Sequence, residues 1–425
     1  MFGDFMMGAK SRLLPLSLPS RFFTAAALFQ VAAWGLLLAF ADQAVGYQGG
    51  PGPILAALHA VTLGVLAMTG MGAAFQLLPV ATKQPVRSEA ACKAVFWLYV
   101  PGLLLLGHGM STDQPWALMA GGGLVVAALL LFGFLLADNT RRAGDMRIVT
   151  LHAWMALASL LALLSLAALL IWGFVDGFSM DHRLLGAAHA VMAAYGFMGM
   201  LAMGFSFVLI PMFCLSPPPD VRLGTVAAWC GLSALLLTAA GLLAALEPLV
   251  LLGGAVGLVA AGLHLRVMAK VMKGRMRRKL GDSFILIRLA WALLPLSILA
   301  GLATSAGVLP ERLGPLFGFW LVFGWLLTFL LGVLQRILPF LASMHSVKPG
   351  IKPVLVSSLT PDRTLRLHLI AHIAALALVS AGLAGQWGAI VRLGAACGVA
   401  AALVYLFFVT HVLWRLHRHL HPPQS

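Results

Sequence analysis

Charged side chains are scarce in this sequence of 425 residues. Asp, Glu, Lys and Arg together make up 10% of the chain, and hydrophobic residues make up 61%. A soluble globular domain carries about 25% charged residues. So few charges cannot cover the surface of a water-soluble protein of this size, and the composition therefore predicts a protein solvated largely by the lipid bilayer.

Acidic residues and cysteine motifs are also in short supply. The chain has 13 acidic residues against 28 basic ones, and its four cysteines form no Cys-x-x-Cys pair. The net charge of +15 does not indicate nucleic acid as a partner, because the basic residues lie in short segments between apolar runs. Such charges favour cytoplasmic loops and contact anionic headgroups. The absence of a Walker loop and of His-Glu-x-x-His removes two common enzyme signatures.

Twelve runs are long and apolar enough to cross a bilayer, which takes about 20 residues each. The predicted spans are 22–44, 53–81, 92–110, 116–138, 149–175, 184–213, 224–246, 248–270, 284–308, 313–343, 366–386 and 389–414. Basic residues concentrate before the first span (Lys10, Arg12), after even-numbered spans (Lys348, Lys352 after the tenth) and in the C-terminal tail. This bias predicts an inner-membrane protein with both ends in the cytoplasm. The first run lacks a signal-peptide cleavage site and is predicted to be retained.

The second, sixth and tenth spans share one pattern. Each carries glycines and ends on its inner side with an aliphatic residue followed by proline, at Pro79, Pro211 and Pro339. These prolines lie 132 and 128 residues apart. The spacing predicts an all-α integral membrane protein, one polytopic domain over 1–425, built from three parallel four-helix repeats, N-in and C-in. The predicted repeats are 22–138, 149–270 and 284–414.

Histidines inside the membrane are the candidate functional residues, because ionisable side chains are costly in lipid. His59 and His189 occupy matching positions in the first two repeats, about two turns below the outer surface. His368 and His372, spaced i and i+4, and His152 lie near inner ends and could form a second metal site. The alternative is an imidazole bonded to a carbonyl or hydroxyl of a neighbouring helix. By contrast, the remaining helix-end and loop histidines considered, His108, His182 and His264, are expected at solvated or interfacial positions.

A stripe of methionine and small residues accompanies the second of these histidines. His189, Met192 and Met200 share one helical face, and His59 shares its face with Gly70. Neutral imidazole ligates haem iron or copper, and thioether is a soft second ligand. We therefore predict a cofactor, haem b or copper, bound by His59 and His189 with Met192 and Met200 nearby. A methionine stripe is also typical of ordinary packing.

The whole pattern resembles a known membrane fold. Twelve spans in three four-helix units, with a histidine high on the second and sixth helices, resemble the catalytic subunit of the haem–copper oxidase superfamily. Within it the chain is most similar to NnrS-type membrane proteins, through Pro19–Phe29 (PSRFFTAAALF), His59–Gly64 (HAVTLG) and Gly72–Pro79 (GAAFQLLP). The resemblance implies that His59 matches a haem ligand on the second helix and that His189 matches a residue near copper on the sixth.

The chain departs from this pattern where an oxidase needs it most. The seventh span, 224–246, has no histidine, and the tenth carries Phe319 and Trp320 where the resemblance requires histidine. The NnrS-type His-x-His-Glu run is reduced to His59 alone. A complete oxygen-reducing centre therefore cannot be assembled, and oxidase activity is excluded.

Three functions remain open at this level. The first is a haem- or copper-binding membrane protein acting in nitric-oxide or metal stress or in respiratory-enzyme assembly. The second is a transporter that uses intramembrane histidines, since carboxylates are confined to loops and helix ends. The third is a structural partner subunit with a degenerate site. Respiratory-chain or homo-oligomeric partners are compatible with each, and whether the chain is an enzyme is left undecided.

Overall fold

The computed structural model describes residues 14–144, 146–177, 181–347 and 353–421, and these are helical throughout apart from turns and loops. Twelve of the described helices are long and apolar enough to cross a membrane, which confirms the predicted all-α membrane fold. They are α1 Ser17–Ala39, α2 Pro53–Thr82, α3 Glu89–Thr112, α4 Pro115–Arg141, α5 Arg147–Asp176, α6 His182–Cys214, α7 Val221–Leu243, α8 Glu247–Lys273, α9 Ser283–Ser305, α10 Glu311–His345, α11 Asp362–Gly385 and α12 Gly388–Leu420.

The helix ends differ from the predicted spans by a few residues, and the first span differs most. It was predicted at 22–44, but α1 begins at Ser17 and ends at Ala39, and a short helix follows at Ala41–Val45. Pro19 lies in the first turn of α1. Proline is tolerated there because N–H groups of the first turn make no hydrogen bond within the helix. Lys10, Arg12, Lys348 and Lys352 lie outside the described residues, and the cytoplasmic location of both ends stays a prediction.

The helices form a closed ring around three central ones. Helices that are consecutive in the chain pack side by side, and the ring closes where α12 packs on α1. At that closure Arg392 Nη2 lies 2.5 Å from Asp42 Oδ2. The central helices are α2, α6 and α10, in which 61–72% of the residues of the apolar segment are buried, against at most 50% in the other nine.

Glycines set the closest helix contacts in three hairpins, α3–α4, α7–α8 and α11–α12. A Cβ atom on Gly121 would lie 2.3 Å from the backbone N of Leu106. The corresponding distances are 2.7 Å from Gly253 to the backbone N of Thr238 and 2.7 Å from Gly394 to that of Val379. Gly121 and Gly253 lie 132 residues apart, like the first two prolines of the predicted repeat. The three-repeat architecture and its boundaries stay predictions.

The start of α7 depends on a capping carboxylate. Asp220 accepts a hydrogen bond from the backbone N–H of Leu223, at 3.1 Å, and lies 3.4 Å from Lys270 Nζ. Both contacts lower the pKa of the Asp220 carboxyl below its ordinary value, and the hydrogen bond from the Leu223 backbone has the largest effect. Aspartate at this position stabilises a helix by satisfying an unpaired N–H group and by favourable interaction with the helix dipole.

We expect Asp220→Ala to lower the melting temperature of the purified protein by a few degrees at pH 7. A carboxyl with a lowered folded-state pKa stabilises the fold above its unfolded pKa, about 3.9, and this stabilisation is lost as the pH falls through the folded-state pKa. The difference between variant and wild type should therefore shrink below about pH 4. Asp176→Ala, at an exposed helix end, is the control. A difference that persists unchanged at acidic pH would refute the capping role.

Candidate metal site

The three central helices each contain a π-helical segment. These segments are Thr62–Ala67 in α2, Met192–Met198 in α6 and Trp320–Leu327 in α10, and they contact one another at the centre of the bundle. Short π segments inside α-helices are rare and occur often at functional sites. In α2 and α6 the segment begins three residues after His59 and His189, so these two histidines sit at the same step of their helices.

The structure brings His59 and His189 together. Their ring centres lie 6.5 Å apart, and the ring planes are inclined by 23°. Both residues are of intermediate exposure.

Backbone carbonyl groups fix the protonation of both rings. His59 Nδ1 lies 3.0 Å from the carbonyl oxygen of Leu55, one turn earlier in α2. His189 Nδ1 lies 3.1 Å from the carbonyl oxygen of Leu163 in α5. A carbonyl oxygen can only accept, so each neutral ring donates from Nδ1 and carries its lone pair on Nε2. Histidines that ligate metals are commonly oriented in this way.

A close helix approach helps to bring the α5 carbonyl within reach of His189. Gly196 of α6 lies against Ser159 of α5, and a Cβ atom at Gly196 would lie 2.7 Å from Ser159 Cβ and Oγ. Any larger side chain would push the two helices apart. The sequence showed the glycine as part of a stripe, but it did not show that α5 supplies the partner of the imidazole.

The two methionines of the predicted stripe are placed differently. Met192 is buried and opens the π segment, three residues from His189. Met200 is 11 residues from His189, which corresponds to about 16 Å along a helix, and its methyl carbon lies 3.0 Å from the position of a Cβ atom at Gly231 in α7. Met192 therefore stays a candidate ligand, whereas Met200 packs against a neighbouring helix away from the pair.

His368 and His372 lie in a buried polar cluster between α10, α11 and α12. Their rings are nearly parallel, 5.7 Å between centres, and His368 also lies 5.5 Å from the Tyr405 ring. Thr328 Oγ1 donates to the Phe323 carbonyl, so its oxygen accepts from His372 Nε2 at 2.8 Å. Gln335 Nε2 lies 3.0 Å from His368 Nδ1. Each ring thus already uses one nitrogen in a contact between helices.

His152 is not brought to these two histidines. It donates from Nδ1 to the Ile148 carbonyl at 2.8 Å and, like His264, packs against the Phe207 ring. Among the described residues no group of three His, Cys, Asp or Glu side chains is arranged to hold a metal ion. The expected inner site of His152, His368 and His372 is therefore not assembled in the described structure.

Two histidines behave differently from what the sequence suggested. His264, expected at an interfacial position, is buried with only 3% of its surface exposed. It points inward because its face of α8 packs against α6 at Phe207. His345, which was not singled out, lies at the C-terminal end of α10 with its Nε2 3.0 Å from Gln76 Nε2 of α2. Its only signal in the sequence was a polar residue at the end of an apolar run.

Two small cavities lie in the described structure away from the histidine pair. Each has a volume of about 10 Å³, room for about one water molecule, and neither is lined by His59 or His189. On α10, Phe319 stacks on Phe323 at 4.9 Å, and Trp34 of α1 lies 4.9 Å from the Phe323 ring. Trp320 donates to Ser380 Oγ at 3.0 Å. Aromatic side chains thus fill the centre where an oxidase-type α10 would carry haem-ligating histidine.

Comparison with known proteins identifies the fold. No family model matches the sequence, and no curated protein matches it. A cryo-EM structure of a heme-copper terminal oxidase dimer is similar to the chain, with a TM-score of 0.67 and 12% sequence identity, over 97% of this chain and 85% of that one. At this identity the similarity concerns the fold. The chain is therefore a multi-pass membrane protein with the twelve-helix fold of a heme-copper oxidase.

Proposed function

We propose that this chain is a membrane protein that binds one copper ion through His59 and His189. The observation that carries the proposal is the geometry of the pair, with ring centres 6.5 Å apart and both Nδ1 atoms bonded to carbonyl groups. Two imidazole nitrogens bound on opposite sides of one ion, each at about 2.0 Å, would hold the ring centres roughly 6 Å apart. The free Nε2 lone pairs are the atoms that would hold the ion.

The donor set favours copper over the other cofactor that the sequence suggested. Imidazole suits copper, zinc, iron and nickel, and copper(II) binds most tightly among the divalent ions of this series. No carboxylate or thiolate joins the pair in the described structure, which is unlike a structural zinc site. Haem is the less favoured cofactor, because α10 carries Phe319 and Trp320 at the positions where the resemblance requires histidine.

The surrounding residues position the two ligands. The carbonyl groups of Leu55 and Leu163 hold the tautomer and the ring orientation of His59 and His189. Copper held by two imidazoles has open coordination positions, where a small molecule or a receiving protein can bind. Met192, three residues after His189, is the side chain that would contribute a soft third ligand.

These properties suit a role in handling copper or nitric oxide rather than in reducing oxygen. The NnrS-type resemblance supports a part in nitric-oxide or metal stress, and the oxidase-like fold supports a part in respiratory-enzyme assembly. The inner-membrane location predicted by the basic loops agrees with both.

Elemental analysis combined with a visible spectrum tests the proposal. We expect detergent-purified protein, loaded with copper and desalted, to retain about one copper per chain, because two neutral imidazoles compete well for this ion. No Soret band is expected after incubation with haem. A stoichiometric Soret band in protein that retains no copper would show that the cofactor is haem. Protein that retains neither copper nor haem would overturn the proposal.

A further inference from the structure

The loop between α8 and α9 is strongly basic and fully exposed. All seven residues of 273–279 are exposed, and five of them are basic. The basic residues are Lys273, Arg275, Arg277, Arg278 and Lys279. Met276, in the middle of the loop, has 75% of its surface exposed.

Backbone contacts hold this loop against the end of α6. The backbone N–H groups of Met276 and Arg277 donate to the carbonyl groups of Leu215 and Cys214, at 3.3 and 3.2 Å. Arg275 Nη1 donates to the carbonyl of Met272, at 2.7 Å, and so satisfies the end of α8. The basic side chains therefore project from a fixed segment of backbone.

Two further arginines join the loop from neighbouring helices. Arg336 of α10 is half-buried, donates from Nε to Ser283 Oγ at 2.9 Å and lies over the Phe284 ring at 5.5 Å. Arg288 is exposed on the second turn of α9. The Cys214 thiol interacts electrostatically with four guanidinium groups. These belong to Arg275, Arg277, Arg288 and Arg336, which we call the arginine cluster.

The arginine cluster makes no close ion pair in the described structure, and its one acidic neighbour there is Asp362, which interacts with Arg336 at longer range. Among the described residues none of its members lies within 4.0 Å of a carboxylate. Nearby cations on the same face are paired, Lys270 with Asp220 and Arg366 with Asp282. Like charges brought together raise the energy of the fold unless an anion offsets them. A planar guanidinium is well suited to bind phosphate through two hydrogen bonds.

We propose that the arginine cluster binds the phosphate group of an anionic phospholipid. The cluster sits where α6 and α8 end and α9 begins, with Arg336 of α10 beside Ser283, and these helix ends lie at the depth of the headgroup layer of a bilayer that the helices cross. Basic sites between transmembrane helices are favourable positions for such headgroups. The exposed Met276 beside the cluster gives an apolar contact for a lipid, which free phosphate would not use. The proposal is independent of the metal site.

Lipid titration of the full-length protein tests it. Purified protein in an uncharged detergent is titrated with phosphatidylglycerol or phosphatidylcholine, and bound lipids are counted by native mass spectrometry while the melting temperature is recorded. The triple variant Arg275→Gln/Arg277→Gln/Arg288→Gln should bind phosphatidylglycerol about a hundredfold more weakly than wild type at low salt. Because Arg275 also bonds to α8, the double variant Arg277→Gln/Arg288→Gln is measured too, with an expected loss of about thirtyfold.

The matched control removes the same charge from the same face. Arg141, Arg222 and Arg363 are exposed, and their triple glutamine variant should keep the wild-type response to phosphatidylglycerol. Equal binding of phosphatidylcholine, an undiminished response in both cluster variants, or a shift reproduced by inorganic phosphate alone would each overturn the proposal.

Discussion

Copper binding should fall at least about a hundredfold in His189→Ala. Removing a residue that only orients a metal-bound histidine lowers metal affinity about 10–100-fold. Removing a ligand should lower the affinity at least as much. The residual site would keep only His59, whose Nε2 alone cannot hold an ion against a competing chelator. The measurement is a competition titration of purified protein with a chromogenic copper chelator. His59→Ala should give a similar loss, and the double variant should lose little more, since both residues act on one ion.

The control for this prediction is a histidine outside the pair. His108 is exposed near the C-terminal end of α3, and His108→Ala should bind copper like wild type. Helix content by circular dichroism distinguishes lost binding from lost folding. Copper affinity that is unchanged in both His59→Ala and His189→Ala would assign the ion to another part of the chain.

Substituting Ala for Gly121 should lower the stability by about 3 kcal/mol, the upper range for an overpacked site. The new Cβ atom would lie 2.3 Å from the backbone N and 2.7 Å from the Cα of Leu106. Backbone atoms cannot rotate away as a flexible side chain can, so α3 and α4 would have to separate along the hairpin. Unfolding of the purified protein in mixed micelles with increasing denaturing detergent measures the loss.

Gly123→Ala is the matched control in the same helix. Gly123 is exposed, and a Cβ atom there meets nothing within 4 Å. The substitution should be neutral or stabilise by up to about 1 kcal/mol, because alanine favours the helix. Equal effects at Gly121 and Gly123 would show that the hairpin does not depend on close backbone contact.

Much of the fold follows from one-dimensional features of the sequence. Apolar runs of sufficient length locate twelve helices, because a bilayer imposes a minimum length on every span. The ends are less certain: Ser17 and Asp220 begin their helices outside the predicted runs, since local caps and turns decide where a helix starts. The π segments were not predicted, because no residue type marks them and tertiary packing stabilises them.

The candidate site could likewise be predicted only in part from the sequence. The sequence gives the depth of a residue in the membrane, and equal depth is why His59 and His189 could be matched. Depth does not give the neighbouring helix, so His152 was grouped with His368 and His372, whereas it packs with His264 around Phe207. Similarly, the helical stripe connected Met200 with His189, although about 16 Å of helix separates them. The partner carbonyl of Leu163, on another helix, has no sequence signature.

X-ray absorption at the copper edge of the loaded wild-type protein tests the central claim most directly. The account predicts two imidazole nitrogens at about 2.0 Å, with at most one sulfur ligand, from Met192. A spectrum without imidazole scattering, or one dominated by sulfur, would contradict it.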